Sequence, residues 1–330
     1  MSNKLHLTVA TDDYDHMRDL RFGLVKPEGI ELTYLCMEIH EVFSRFIFNR
    51  EFDVSELSSA KFAALVSEPG SDIIGLPVFP SRQFRFSSFY VNTKKGIKSP
   101  ADLRGKRVGL PEWAQSAAVY TRGYLMHDVG IPLNEIDWVQ AGTEQAGRIE
   151  KVELNLPQGT RLERIADKTL SDMLAAGELD AVLIAREPSC FKKGHPHVAR
   201  LFPDYRKVEQ EYYARTKIFP IMHIIAMKRS VLDENPWVAR NMLNAFEKSK
   251  ANCLHRFNEE AISTYPVPWA TDYARQMAQT FGKDYYPYGI EANRPTLEAY
   301  LTYAYEQGIA KRLMKPEDIF PKGIEVSTKI

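Results

Sequence analysis

The chain has 330 residues, 44% hydrophobic and 26% charged, the composition of about two globular domains rather than of a disordered, collagenous or coiled-coil protein. Lys plus Arg and Asp plus Glu each number 43, so no global field draws the chain to nucleic acid or to an anionic membrane. Three distant cysteines, Cys36, Cys190 and Cys253, form no CxxC pair, which argues against a zinc ribbon or a disulfide framework and for free thiols in a reducing compartment.

The first residues carry neither the apolar run nor the small-residue site of a secretory leader, and no stretch approaches a membrane span. The expectation is a cytoplasmic protein. Leu5–Ala10 alternates apolar and polar residues as a strand does. Residues 12–20 read as a helix with an acidic start, and Ile30–Leu35 as a second strand after a Pro-Glu-Gly turn. His40–Asn49 places Val42, Phe43, Phe46 and Ile47 at helical spacing. Phe52–Leu57 is extended, and Ser58 and Ser59 are placed to cap a helix over 60–67. Ile73–Val78 and the aromatic run Phe84–Asn92 read as strands.

Composition then changes at Lys94-Lys95-Gly96. A strand over 105–110 leads through Glu112–Ser116 into a helix that ends before Gly130-Ile131-Pro132. Asp137–Gln140 is a short strand, Thr169–Ala176 a helix closed by Gly177, and Leu179–Ala185 a buried strand. Residues 192–197 read as a loop, and Ile218–Met227 as an apolar strand. Helical patterns follow over 236–256, 271–281 and 294–307, the last with Gly308 as its C-terminal cap. This alternation predicts α/β architecture. The middle block, flanked by 84–92 and 218–227, predicts two lobes: 1–92 plus 218–330, and an inserted 93–217. Ligands in such layouts sit at the carboxyl ends of strands, between the lobes.

Two stretches, Leu103-Arg-Gly-Lys-Arg-Val-Gly-Leu110 and Leu174-Ala-Ala-Gly-Glu-Leu-Asp-Ala181, resemble type II periplasmic-binding-protein folds. Others are more specific: Glu51-Phe-Asp-Val-Ser-Glu-Leu-Ser58, Pro77-Val-Phe-Pro-Ser-Arg-Gln-Phe-Arg85, Ala185-Arg-Glu-Pro-Ser189, Leu201-Phe-Pro-Asp-Tyr205, Ile218-Phe-Pro-Ile-Met-His223 and Tyr286-Pro-Tyr-Gly289. Together they resemble the 4,5-dihydroxyphthalate decarboxylase family, almost from end to end. The resemblance implies a two-lobed α/β receptor-like fold with a cleft between lobes. It implies loss of one carboxylate from a dihydroxylated aromatic dicarboxylate, giving protocatechuate and carbon dioxide. Such chemistry requires no organic cofactor, and a divalent metal is left open, as is homo-oligomerisation. The expected partner is a small aromatic carboxylate, with no nucleic acid and no membrane.

A decarboxylase of this kind needs a base near a hydroxyl, an acid at the ring carbon, and cations for the retained carboxylate. Arg82, Arg85 and Arg186 are the candidate carboxylate ligands, with Ser81 beside them, because guanidinium matches carboxylate bidentately; surface or interdomain ion pairs are the competing role. His223, inside an apolar strand, is the candidate acid or base, with a hydrogen-bonded core histidine as the alternative. Glu56 either orients a histidine, accepts a catechol proton, or simply charges a helix start. Glu112, Trp113 and Ser116 connect a strand to a helix. Ser116 and backbone N–H groups there suit a carboxylate, and Trp113 suits an aromatic ring; ordinary helix capping and core packing are the alternative. His195-Pro-His197 lacks a third metal ligand at convincing spacing and reads as loop. No GxxxxGK[ST], GxGxxG or HExxH motif occurs. A non-catalytic receptor for an organic anion, cytoplasmic or exported, is the rival reading, since fold alone does not decide function.

Overall fold

The computed structural model describes residues 4–324. Two sheets carry the fold. In the first, the order is β2 (Ile30–Cys36), β1 (Leu5–Thr11), β3 (Val54–Ser58), β11 (His223–Lys228) and β4 (Ile73–Leu76). In the second it is β10 (Val198–Arg200), β5 (Phe89–Asn92), β9 (Ala181–Leu183), β6 (Arg107–Leu110), β7 (Asp137–Gly142) and β8 (Arg161–Thr169). The strands β1, β2 and β3 run parallel, as do β9, β6, β7 and β8, while β11 and β5 are antiparallel to their neighbours.

Helices cover these sheets: α1 (Ile39–Asn49), α2 (Ser59–Val66), α3 (Ser116–His127), α4 (Leu170–Ala176), α5 (Tyr205–Thr216), α6 (Val238–Phe257), α7 (Ala270–Phe281) and α8 (Arg294–Glu306). On α1 the residues at helical spacing, Val42, Phe43, Phe46 and Ile47, are the buried face, as the apolar periodicity requires. Burial of such side chains contributes roughly 1.5–3 kcal/mol each.

Several expectations change. The aromatic run 84–92 is a strand only from Phe89. Phe84 instead stacks on Phe219 at 4.9 Å and Phe86 packs against Tyr124 at 4.7 Å, so ring packing overrides the strand propensity of the first residues. Its strand portion also belongs to the second sheet, pairing with β9 and β10. The passage between sheets therefore lies in 77–88, not at 92. The acidic segment 12–20 is a 3-10 turn, Asp15–Met17, followed by one helical turn, Arg18–Arg21. Ser58 holds the N-cap position of α2 without a side-chain capping bond, because its hydroxyl meets Ser116 instead.

The strand β8, the strand β10 and the helix α5 carry no clear sequence signal. Along β8 the residues are mostly exposed, and its charged side chains suit the outer edge of a sheet. Of α5, only Tyr212 is buried.

Candidate functional site

The carboxyl ends of β1, β2 and β3 form one rim, at Thr11, Cys36 and Ser58. The antiparallel β11 begins at the same rim, with His223 opposite Ser58. The carboxyl ends of β6 and β9 form the rim of the other sheet. The rims are tied together. Ser116 Oγ donates to the Met222 carbonyl at 2.8 Å and accepts from Ala60 N at 3.2 Å, so Ser58 Oγ, 2.9 Å away, donates to it. One turn into α2, Lys61 Nζ lies 2.5 Å from Glu112 and 2.9 Å from the Ala114 carbonyl.

At this rim Glu56 is fully buried in β3. Its Oε2 accepts from Asp12 N at 2.9 Å. Its Oε1 accepts from Tyr14 Oη and from His223 Nδ1, both at 2.6 Å. A carboxylate partner makes Nδ1 the donor and leaves Nε2 as the available nitrogen. Nε2 makes no hydrogen bond and is not sealed from water among the described residues. The edge of Phe43 meets the imidazole at 5.1 Å, which fixes the ring from its apolar side. Burial, reinforced by the Glu56 charge, holds the Tyr14 phenol far above its ordinary range, so it remains a donor. The structure thus brings together Glu56 and His223, distant in sequence. Glu56 has no exposed surface, and its carboxylate is taken up by Asp12, Tyr14 and His223.

Three neighbours escaped sequence reasoning: Asp12, Tyr14 and His16. Their available signal was position, because they follow the first strand at its carboxyl end. His16 packs between Tyr14 and Tyr286, at 5.3 and 5.2 Å between ring centroids. Burial, then Lys250, pushes its imidazole down to about 4. The His16 Nε2 is buried without a partner among the described residues.

The arginines divide. Arg82 is buried and spent on the carbonyls of Pro287 at 3.1 Å and Phe219 at 2.8 Å, with its guanidinium 4.3 Å from the centre of the Phe219 ring. Its neighbour Ser81 contributes a carbonyl that accepts from Met222 N at 2.8 Å and His223 N at 3.2 Å. Arg85 has weaker partners, the Met222 thioether at 3.1 Å and the Ala185 carbonyl at 3.3 Å. Burial brings both guanidiniums down to about 10, so both are cations at neutrality. Arg186 is exposed just beyond β9 and has no charged partner among the described residues.

The turn from β6 into α3 does not present its side chains as expected. Trp113 has no exposed surface. It donates to the Gln307 carbonyl at 2.8 Å and stacks with Arg122 at 3.9 Å, so it is core and cannot cover a ligand ring. Glu112 is buried between Lys61 and Arg148. Burial pushes its carboxyl up, but Lys61 and Arg148 more than offset this and hold it below the ordinary value. It is an internal counter-ion. Ser116 spends its hydroxyl on joining the rims. Among the described residues no group of three or more His, Cys, Asp or Glu is placed to hold a metal ion, and no helix is long and apolar enough to cross a membrane.

A family model described as NMT1/THI5 like matches residues 78–152. The chain is 37% identical over 325 residues to a 4,5-dihydroxyphthalate decarboxylase of Comamonas testosteroni, covering 98% of each chain. It is 40% identical over 212 residues to a protein of the same name from Pseudomonas putida, covering 64% of this chain and 82% of that one. Among solved structures, the periplasmic aliphatic sulphonate binding protein SsuA of Escherichia coli superposes with a TM-score of 0.54 at 12% identity, over 97% of this chain and 98% of that one. A periplasmic sulfonate-binding protein of Methylobacillus flagellatus gives 0.50 at 13% identity, over 97% and 92%. These two likenesses establish the fold, a periplasmic-binding-protein-like arrangement of two α/β sheets, and the fold alone.

Proposed function

Because the chain belongs to the 4,5-dihydroxyphthalate decarboxylase family, we propose that it is a carboxy-lyase converting 4,5-dihydroxyphthalate to protocatechuate and carbon dioxide at the rim that holds His223. The observation that carries the assignment of the site is the Glu56–His223 pair, with its 2.6 Å bond and its free Nε2. In each half of this substrate a hydroxyl lies para to a carboxylate-bearing carbon. The hydroxyl oxygen feeds electron density to that carbon. His223, protonated at Nε2, delivers its proton there, and Glu56 stabilises the imidazolium in the preceding state. The ring carbon gains a C–H bond and loses aromaticity. The C–CO₂ bond then breaks, its electron pair returns to the ring, and His223 regains one proton from water. The step consumes one proton overall and calls for no cofactor.

In this reading Arg85 and Arg186 hold the carboxylates. Arg186 is exposed beyond the carboxyl end of β9 with no charged partner among the described residues, and Arg85 lies between Met222, the neighbour of His223, and Ala185, the neighbour of Arg186. Arg82, whose terminal nitrogens go to the Pro287 and Phe219 carbonyls, takes no part at this rim. The protein is assigned to the cytoplasm, where the free thiols Cys36, Cys190 and Cys253 persist.

Purified chain incubated with 4,5-dihydroxyphthalate, before and after chelation, is expected to give protocatechuate and carbon dioxide by chromatography at the same rate. A positioned general acid contributes about 10²–10⁴-fold, so His223→Ala should lose at least that lower factor in kcat. Full turnover by His223→Ala would remove His223 from the mechanism. Loss of activity on chelation would bring in a metal. The rival reading, a receptor for an aromatic anion, draws on the binding-protein fold of the structural neighbours; saturable binding without product would favour it.

A further inference from the structure

Two cavities, of about 330 and 460 Å³, meet at Arg82, and neither is lined by His223 or Glu56. The larger lies beside the passage between the sheets. Phe84, Phe219, Phe281 and Met277 give it an apolar wall. Arg200, paired with Glu187 and set over the Tyr90 and Tyr205 rings at 5.5 and 5.2 Å, gives it a polar end. Its size and its mixed lining are those of a site for one small ring.

Arg82 carries the second observation. It lines this cavity, its two terminal nitrogens donate to neutral carbonyls, and among the described residues no carboxylate pairs with it. A buried cation without a counter-ion is costly, and an anion in the space it lines would relieve that cost. The smaller cavity does not answer it with an anion, since Glu247, Asp284 and Glu291 already line that space. The larger cavity sets Arg82 and Arg200 against Glu187 and Glu209. Glu187 is neutralised by Arg200. Burial raises the Glu209 carboxyl to about 7, against hydrogen bonds from the backbone of Ser87 and Phe86, so near neutrality it both donates and accepts.

We infer that this cavity is a second binding site, separate from His223, for a hydroxylated aromatic monocarboxylate: carboxylate toward Arg82 and Arg200, ring against the phenylalanines, hydroxyl toward Glu209. Arg85 stands between the two sites, bonded to Met222 on one side and to Ala185, a lining residue, on the other. The inference does not need the decarboxylase reading, because any ligand of this class would fit the lining.

Met277 is half-buried on α7 and takes no part in the His223 site. Met277→Trp fills the cavity. Equilibrium dialysis with 3,4-dihydroxybenzoate as the probe should show one equivalent per chain fewer in Met277→Trp than in the native chain. Turnover of 4,5-dihydroxyphthalate at low concentration should change less than twofold. Arg200→Gln, tested beside it and checked for native melting, should weaken the same equivalent at least tenfold, as loss of a charge-assisted contact does. Unchanged stoichiometry in Met277→Trp together with unchanged affinity in Arg200→Gln would overturn the inference. A chain with no turnover that still loses the equivalent would retain the second site and remove only the decarboxylase reading.

Discussion

At the scale of single residues, the histidine buried beside Tyr14 sets a pH dependence of its own. His16 has a folded-state pKa near 4 against an ordinary 6.5. Between those values the unfolded chain binds more protons than the folded one, so stability rises with pH across the window and is lost as pH falls from about 6.5 to about 4. The shift corresponds to about 3 kcal/mol at its full extent. Glu209 acts in the opposite sense. Its pKa near 7 lies above the ordinary 4.5, so its share is present at low pH and fades as pH rises through 7. Melting temperatures from pH 4 to 7 should therefore flatten on the acid side in His16→Gln and rise at neutral pH in Glu209→Gln. Identical slopes in native protein and His16→Gln would show that His16 is not held neutral. The sequence made His223 and Glu56 legible because each sits in a short run with chemical character. Tyr14 and His16 were hidden for a physical reason: their roles depend on a turn that packs against Tyr286, 270 residues away in the case of His16, and no local pattern encodes that.

At the scale of elements, the starts of α2 and α3 act as one joint. Lys61 and Glu112 are both almost without exposure, and Arg148 closes the pair from the half-exposed side. Removing one partner of a buried pair leaves an uncompensated charge, at a cost of about 3–5 kcal/mol. Glu112→Gln should therefore lower the denaturant midpoint strongly. Replacing both, as in Lys61→Met with Glu112→Leu, should recover much of the loss, because apolar residues of similar volume substitute well for a buried pair. Equal midpoints for Glu112→Gln and the native chain would mean that the joint carries no stability. Most elements were readable from apolar periodicity: β1, β2, α1 and α8 fall within one or two residues of expectation. The ones missed, β8, β10 and α5, bury too little to imprint a pattern, and the first half of the 84–92 run is bent by aromatic contacts that no window on the sequence contains.

At the scale of the whole molecule, the segment after β7 leaves the second sheet, runs against helix α1 and the turn that ends α8, and returns to β8. Lys151 reaches Ser44 on α1, Asn155 N donates to the Gly308 carbonyl at 2.8 Å, and Lys311 pairs with Glu153 at 3.1 Å. Gly308 is required twice. It ends α8 at φ 71°, and a Cβ there would lie 2.0 Å from the Asn155 carbonyl oxygen. Gly308→Ala should destabilise the fold by more than about 1 kcal/mol, the cost of a left-handed position made worse by the clash, and should expose 143–160 to limited proteolysis. Unchanged cleavage would show that this crossing is held elsewhere.

The position of β11 has a consequence for how the chain comes to be folded. This strand lies inside the first sheet, between β3 and β4, yet it is made long after both; the His223–Glu56 bond spans 167 residues. A sheet cannot close around a strand that has not left the ribosome, and pairings this distant in sequence form slowly. During synthesis β3 and β4 are expected to have their inner edges unpaired while the second sheet, whose strands all lie between residues 89 and 200, already has all its strands. The lobe whose residues are made first is then expected to be the last to become native, since those two edges gain their partner only when residue 228 has emerged.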